Sequence, residues 1–297
     1  MLDGILGFFT NIALALYHFG YAISHPKSWL DWSDGEALGR FIYYGASKEL
    51  FFVILTAFIC LTAVGIWRRS VMWAVVRGLE TFANGLGRFV AWAGLLMVLQ
   101  QIVIVFLQRI FRVAAIEFGP FGYSFAKDLS WWSEELKLYN AAIVCLCATY
   151  TFVQGGHVRV DLVYSAVSYR TRKLIDMFGS VVFMMTTACL TWLYAWFFMW
   201  RHLVTPKVSA SESVEQILRK AKLMKWNVET IGFSPNGFNG YFLFKILIVC
   251  FTATVFIHAI AFFYRSYLEW REGPESEGRY LDKDTLGEGE EAYEGTH

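Results

Sequence analysis

Trp131-Trp132-Ser133-Glu134-Glu135-Leu136 opens a stretch that continues through the apolar residues 138–152 and closes on Gly155-Gly156-His157-Val158-Arg159-Val160-Asp161, with the cations Arg170, Arg172 and Lys173 beyond. Acids stand at one end of a helix of membrane length, and a His-x-Arg-x-Asp turn with a basic run stands at the other. Residues 138–152 are short alone, but with their flanks they reach the roughly 20 residues needed to cross hydrocarbon. Ser133 is read as the N-cap, Glu134 and Glu135 as acids at the positive end of the helix dipole, and Gly155-Gly156 as the stop.

The rest of the chain agrees with a lipid solvent. It is 56% hydrophobic and 18% aromatic, more apolar surface than a soluble domain of this length hides. A net charge of +1 offers none of the basic excess that nucleic acid requires. Cys60, Cys145, Cys147, Cys189 and Cys250 all lie inside apolar runs and read as small packing residues. Cys145 and Cys147 face different sides of a helix, a poor geometry for metal. The N-terminus lacks the positive n-region and cleavage site of a signal peptide, so the first apolar run is expected to be retained.

Six segments are candidate spans: residues 4–23, 50–67, 89–108, 138–152, 177–200 and 246–264. Backbone groups in hydrocarbon must be satisfied within their own segment, so helices follow. The fold class is an all-α integral membrane protein of about six membrane helices. Trp67, Trp131, Trp132, Trp200, Tyr241 and Tyr264 stand near segment ends, where amphipathic rings seat at headgroup level. Arg68, Arg69, Arg77 and Arg88 fall between the second and third segments, and Arg159, Arg170, Arg172 and Lys173 between the fourth and fifth. If all six cross, the positive-inside rule makes that side cytoplasmic and puts both termini there. The loop 204–240 would then be external despite its lysines and arginine. Within it, residues 213–226 read as an amphipathic helix with Val214, Ile217, Leu218, Ala221 and Met224 on one face, suited to a membrane surface or a partner. Residues 271–297 read as a disordered acidic tail.

Little of this points to chemistry. His18 and His258 are the histidines within apolar segments, and they fall at different depths, a poor arrangement for haem. No carboxylate lies deep in a span, and no nucleophile–base pairing survives inspection, so no active site, cofactor or metal is expected. Arg109 at the end of the third segment and Glu135 near the start of the fourth are expected to pair across the loop. His157, Arg159 and Asp161 suit a structural clamp or a docking turn.

From about Arg88 to Tyr267 the chain resembles the small membrane subunit of tripartite ATP-independent periplasmic (TRAP) transporters, the DctQ family. The resemblance rests on Val105-Phe106-Leu107-Gln108-Arg109-Ile110-Phe111, Trp132-Ser133-Glu134-Glu135-Leu136, His157-Val158-Arg159-Val160-Asp161-Leu162 and Ser168-Tyr169-Arg170-Thr171-Arg172-Lys173, in that order. It implies a four-helix module over residues 88–270, preceded by an extension, residues 1–87, with two added hydrophobic helices. The loop 204–240 is longer than the family pattern. The implied role is scaffold rather than enzyme, in a sodium-coupled carrier of organic-acid anions in the bacterial inner membrane. Its partners would be the large permease subunit (DctM-like), a periplasmic substrate-binding protein (DctP-like) and lipid. Glu134, with the Arg109–Glu135 tie, and His157, Arg159 and Asp161 would be structural or interface residues, and Arg170, Arg172 and Lys173 headgroup anchors. The rival reading is a membrane-anchor subunit of a respiratory complex binding quinone or haem. Its discriminating feature is a transmembrane histidine pair.

Overall fold

A computed structural model describes residues 2–118, 125–155, 164, 166–232 and 234–284. Helix α1 (Leu2–Ser24) is followed by the short α2 (Lys27–Leu30), α3 (Gly35–Tyr44) and α4 (Lys48–Trp67). Arg68 alone separates α4 from α5 (Arg69–Val105), which continues into a wide turn at Phe106–Ile110. A small hairpin of β1 (Ala115–Phe118) and β2 (Phe125–Asp128), antiparallel with Ala115 opposite Asp128, leads to α6 (Leu129–Leu146) and α7 (Ala148–Gln154). Then come α8 (Tyr169–Gly179), a wide turn at Ser180–Met185, α9 (Thr186–Trp200), α10 (Val214–Ala221) and α11 (Tyr241–Glu272). Strands β3 (Val204–Thr205) and β4 (Lys225–Trp226) pair within the loop between α9 and α11.

Five helical stretches are long and apolar enough to cross a membrane: Leu6–Ser24, Lys48–Trp67, Arg69–Ile110, Tyr169–Trp200 and Tyr241–Glu272. The bent pair α6–α7, kinked by 43°, makes a sixth if it counts as one span. Thus the protein is an all-α integral membrane protein, with two minimal β ladders as its only strands among the described residues.

The third segment differs from its expected start at residue 89. Helix begins at Arg69, and Arg77 and Arg88, expected in a loop, lie exposed on its outer face. Met72, Trp73, Val76, Glu80, Ala83, Asn84, Gly87 and Val90 are buried, a stripe at helical spacing whose first part packs against α11 and whose later part meets α7. Forty-two residues rise about 63 Å, roughly twice a hydrocarbon core, so much of this helix extends beyond it.

Helix α11 is the axis of the bundle, packed against α5, α6, α7, α8 and α9. Its buried face is rich in small residues (Thr252, Thr254, Ala259, Ala261, Ser266), which let helix backbones approach closely in lipid. Two clusters mark the ends. At the aromatic end, Leu38, Ile42, Trp196, Trp200, Val204, Val208, Ile217 and Met224 form one core. At the charged end, Met72, Trp73, Val76, Tyr264 and Leu268 form the other.

The aromatic end joins two parts of the chain that are distant in sequence. Helix α3, from the N-terminal extension, lies on α10, from the long loop. A Cβ at Gly35 would run into the Ala221 carbonyl oxygen, so glycine permits the contact. Trp196 Nε1 donates to the Ile42 carbonyl at 2.8 Å and Trp192 Nε1 to that of Gly45 at 2.7 Å. The apolar face predicted for residues 213–226 is thus met by protein: Ile217 and Ala221 are buried there.

Candidate functional site

Two polar assemblies tie the helices together, one toward each end of the bundle. At the start of α6, Asp128 is the N-cap position and the helix is already one turn old at Ser133. Ser133, expected as the cap, instead donates to the Leu129 carbonyl at 3.0 Å. Glu134 Oε2 accepts the Phe238 amide at 2.9 Å and so fastens the loop before α11. Glu135 Oε2 accepts Gln100 Nε2 at 3.2 Å, and the same amide group donates to the Trp132 carbonyl at 3.1 Å.

The expected Arg109–Glu135 pair does not form. Arg109 lies exposed in the wide turn after α5 and makes no ion pair among the described residues. The reason is register. Because α6 begins at Leu129, Glu135 sits nearly two turns inside it, level with Gln100. Arg109 is nine residues further along, about 14 Å of helical rise.

Toward the charged end, Gly155 closes α7 with φ of +80°, a left-handed cap that suits glycine. His157, Arg159 and Asp161 lie outside the described residues. Of the expected headgroup anchors, Arg170 is exposed on the first turn of α8. Arg172 donates from Nε to the Val167 carbonyl at 3.1 Å and lies over the Tyr164 ring. Lys173 departs from expectation: it is 6% exposed and points inward, with Nζ 2.7 Å from Glu269 and 3.0 Å from Glu277.

Lys173 belongs to a charge network that the sequence reading missed. Arg265 makes a two-pronged contact with Glu80, at 2.6 Å and 2.5 Å, and a longer one of 3.4 Å with Glu269. Its Nη1 also donates to the Arg279 carbonyl at 3.1 Å, and its guanidinium lies over the Trp73 ring. Glu269 Oε1 further accepts the Gly278 amide at 3.2 Å. Glu80, Lys173, Arg265 and Glu269 are all buried, so α5, α8, α11 and the following segment are joined through desolvated charges. A partial signal existed: Glu80 interrupts a largely apolar stripe, and Arg265 and Glu269 stand four apart on one face of α11.

Residues 273–284, expected as the start of a disordered tail, fold back instead. Arg88 pairs with Asp282 at 3.0 Å and with Asp284 at 2.5 Å. Asn84 donates to the Asp282 carbonyl at 2.7 Å, the Asp284 amide donates to Gln154 Oε1 at 2.9 Å, and Tyr150 donates to the Asp284 carboxylate. The Arg88 and Asn84 hydrogen bonds hold the Asp282 carboxyl below the usual aspartate range, and the Tyr150 and Arg88 bonds do the same for Asp284. The segment thus bridges α5 to α7 beside Gly155.

Neither assembly has the form of a reaction centre. Each carboxylate in them is engaged by a cation, an amide or a hydroxyl, and no group of three or more His, Cys, Asp or Glu is placed to hold a metal among the described residues. His258 lies between the rings of Phe152 and Phe262, while His18 packs on Tyr17 of its own helix. A polar cleft of about 420 Å³ opens near the aromatic end, lined in part by Lys127, Asp128, Trp131, Ser234 and Asn239.

Residues 121–215 match the family described as tripartite ATP-independent periplasmic transporters, DctQ component. The match runs from the hairpin through α6 to α9 and ends at the start of α10, leaving α1 to α5 and α11 outside it. No curated protein and no solved structure matches the chain.

Proposed function

We infer from this DctQ domain that the chain is the small membrane subunit of a TRAP transporter, and we propose that it pairs with a large permease subunit as a scaffold. The family is one of transporter components, not an enzyme class. On this reading the assembly is sodium-coupled, takes up an organic-acid anion delivered by a periplasmic binding protein, and sits in the bacterial inner membrane with both termini cytoplasmic. The charged end, with Arg68, Arg69, Arg77, Arg88 and Arg170, then faces the cytoplasm, as the positive-inside rule favours.

The observation that carries the reading is the DctQ match over the central helices. The bundle supports a scaffold role: its buried charges in the Glu80–Arg265–Glu269–Lys173 network are paired with one another and join helices. Large apolar side chains face outward along the second half of α5 and into the wide turn after it, including Phe89, Trp92, Leu96, Leu99 and Phe106, available to lipid or to another membrane helix. Arg109, Glu134, Glu135, His157, Arg159 and Asp161 remain proposed as structural or interface positions, with Arg109 free to meet a partner rather than Glu135.

The test is purification of the tagged chain from its native membrane in mild detergent, with mass spectrometry of what accompanies it. Stoichiometric recovery of a larger, very hydrophobic permease is expected, and loss of sodium-dependent uptake of an organic acid on deleting this chain. Recovery with redox subunits and a Soret band would overturn the reading.

A further inference from the structure

Lys245 stands in the second turn of α11 and is 4% exposed. Among the described residues its ammonium meets no carboxylate. Its neighbours are two aromatic faces, Phe198 and Tyr241, each with its ring centroid 4.8 Å from Nζ. The charges that act on it, Glu229 and Lys207, do so from beyond ion-pair distance, and the buried Glu229 Oε2 lies 3.2 Å from His202 Nε2 without a hydrogen bond. Among the described residues the other two buried cations are matched: Arg265 by Glu80 and Glu269, Lys173 by Glu269 and Glu277. Burying an ammonium without a counter-charge is costly, and ring faces offset only part of that cost.

Depth narrows what completes the site. Residues 246–264 carry no Asp, Glu, Lys or Arg, and the twenty steps from Lys245 to Arg265 rise about 30 Å, the thickness of hydrocarbon. Lys245 and Arg265 therefore mark the two edges of the apolar slab. At Arg265 the charge is answered by protein. At Lys245 it lies at the depth of lipid phosphates, beneath two rings that are themselves half-exposed, Phe198 at 46% and Tyr241 at 37%. Lys245 leans toward the start of α11, where no side chain caps the helix, so the partial positive charge of the helix N-terminus adds to that of the ammonium.

We propose that Lys245, with Phe198 and Tyr241 as its walls and the start of α11 beside it, is a binding site for the phosphodiester of a membrane phospholipid. The phosphate is the missing counter-ion, and the acyl chains lie along the apolar surface between α9 and α11. A bound lipid here would cover the seam where those two helices meet the aromatic end.

The experiment is native mass spectrometry of the full chain in mild detergent, titrated with phosphatidylglycerol, alongside Lys245→Met and Lys245→Arg. The wild type and K245R are expected to retain one lipid through detergent exchange, and K245M to lose retention roughly tenfold, the scale of one charge-assisted contact. Equal retention by K245M overturns the site. An equal stabilising response to inorganic phosphate alone overturns the lipid assignment in favour of a free-anion site. Should K245M fail to accumulate, a diazirine-bearing phosphatidylglycerol crosslinked to the wild type decides. Labelling of peptides containing Phe198 and Tyr241 supports the proposal, and labelling confined to other helices overturns it.

Discussion

Arg265 is the residue on which the charged end turns. Its guanidinium reaches Glu80 on α5, Glu269 on its own helix and the Arg279 carbonyl beyond it. Removing one member of a buried pair leaves the other desolvated and unanswered, which typically costs about 3–5 kcal/mol. Arg265→Met is therefore expected to lower the melting temperature in detergent sharply, as is Glu80→Leu alone. The double variant, apolar on both sides, should recover most of the loss. Additive losses in that cycle would show that the pair is not the unit of stabilisation. Arg109 is the contrasting residue: exposed and without an ion pair among the described residues, its replacement by alanine should change the stability of the isolated chain by no more than about half a kcal/mol.

Among the elements, the segment 273–284 and helix α3 carry the clearest expectations. Asp282 and Asp284 are held below the ordinary aspartate value of 3.8 by their bonds to Arg88, Asn84 and Tyr150. A group whose folded pKa is depressed contributes stability above its unfolded pKa and loses it as pH falls through the folded value. Docking of this segment should thus be complete at neutral pH and weaken only below about pH 3.8. Hydrogen exchange of the Asp284 amide, read against the Phe238 amide held by Glu134, would show it; release near neutrality would contradict the assignment. For α3, Gly35→Val should push the helix off Ala221 of α10. Faster proteolysis within 204–240 and altered tryptophan emission from the cluster of Trp32, Trp200 and Trp226 are expected, and an unchanged digestion pattern would argue against the contact.

At the scale of the whole molecule, the extension divides into two parts with different standing. Helix α1 packs chiefly on α4 and exposes Phe9, Leu16, Tyr17 and Ile23, whereas Leu38 and Ile42 of α3 are 1% and 0% exposed within the aromatic core. Removing residues 2–24 should leave a monodisperse bundle. Removing 2–47 should not, because it also strips the carbonyls that receive the Trp192 and Trp196 indoles, about 1–3 kcal/mol for each buried donor left unpaired. Equal behaviour of the two deletions on size-exclusion chromatography would refute the distinction. The membrane class, the helical fold and the DctQ resemblance were legible from apolar run length and from motifs carried by a few local residues, since hydrocarbon forces backbone bonds inside each segment. Register was not. Whether Glu135 meets Arg109 or Gln100 depends on where α6 starts relative to α5, and a shift of a few residues moves a side chain by several ångströms. Nor did composition reveal that Lys173 turns inward to Glu269, or that the acidic segment 282–284 finds Arg88. Both follow from helices distant in sequence arriving side by side, and only the tertiary structure decides which charges are then stranded from water and must find one another.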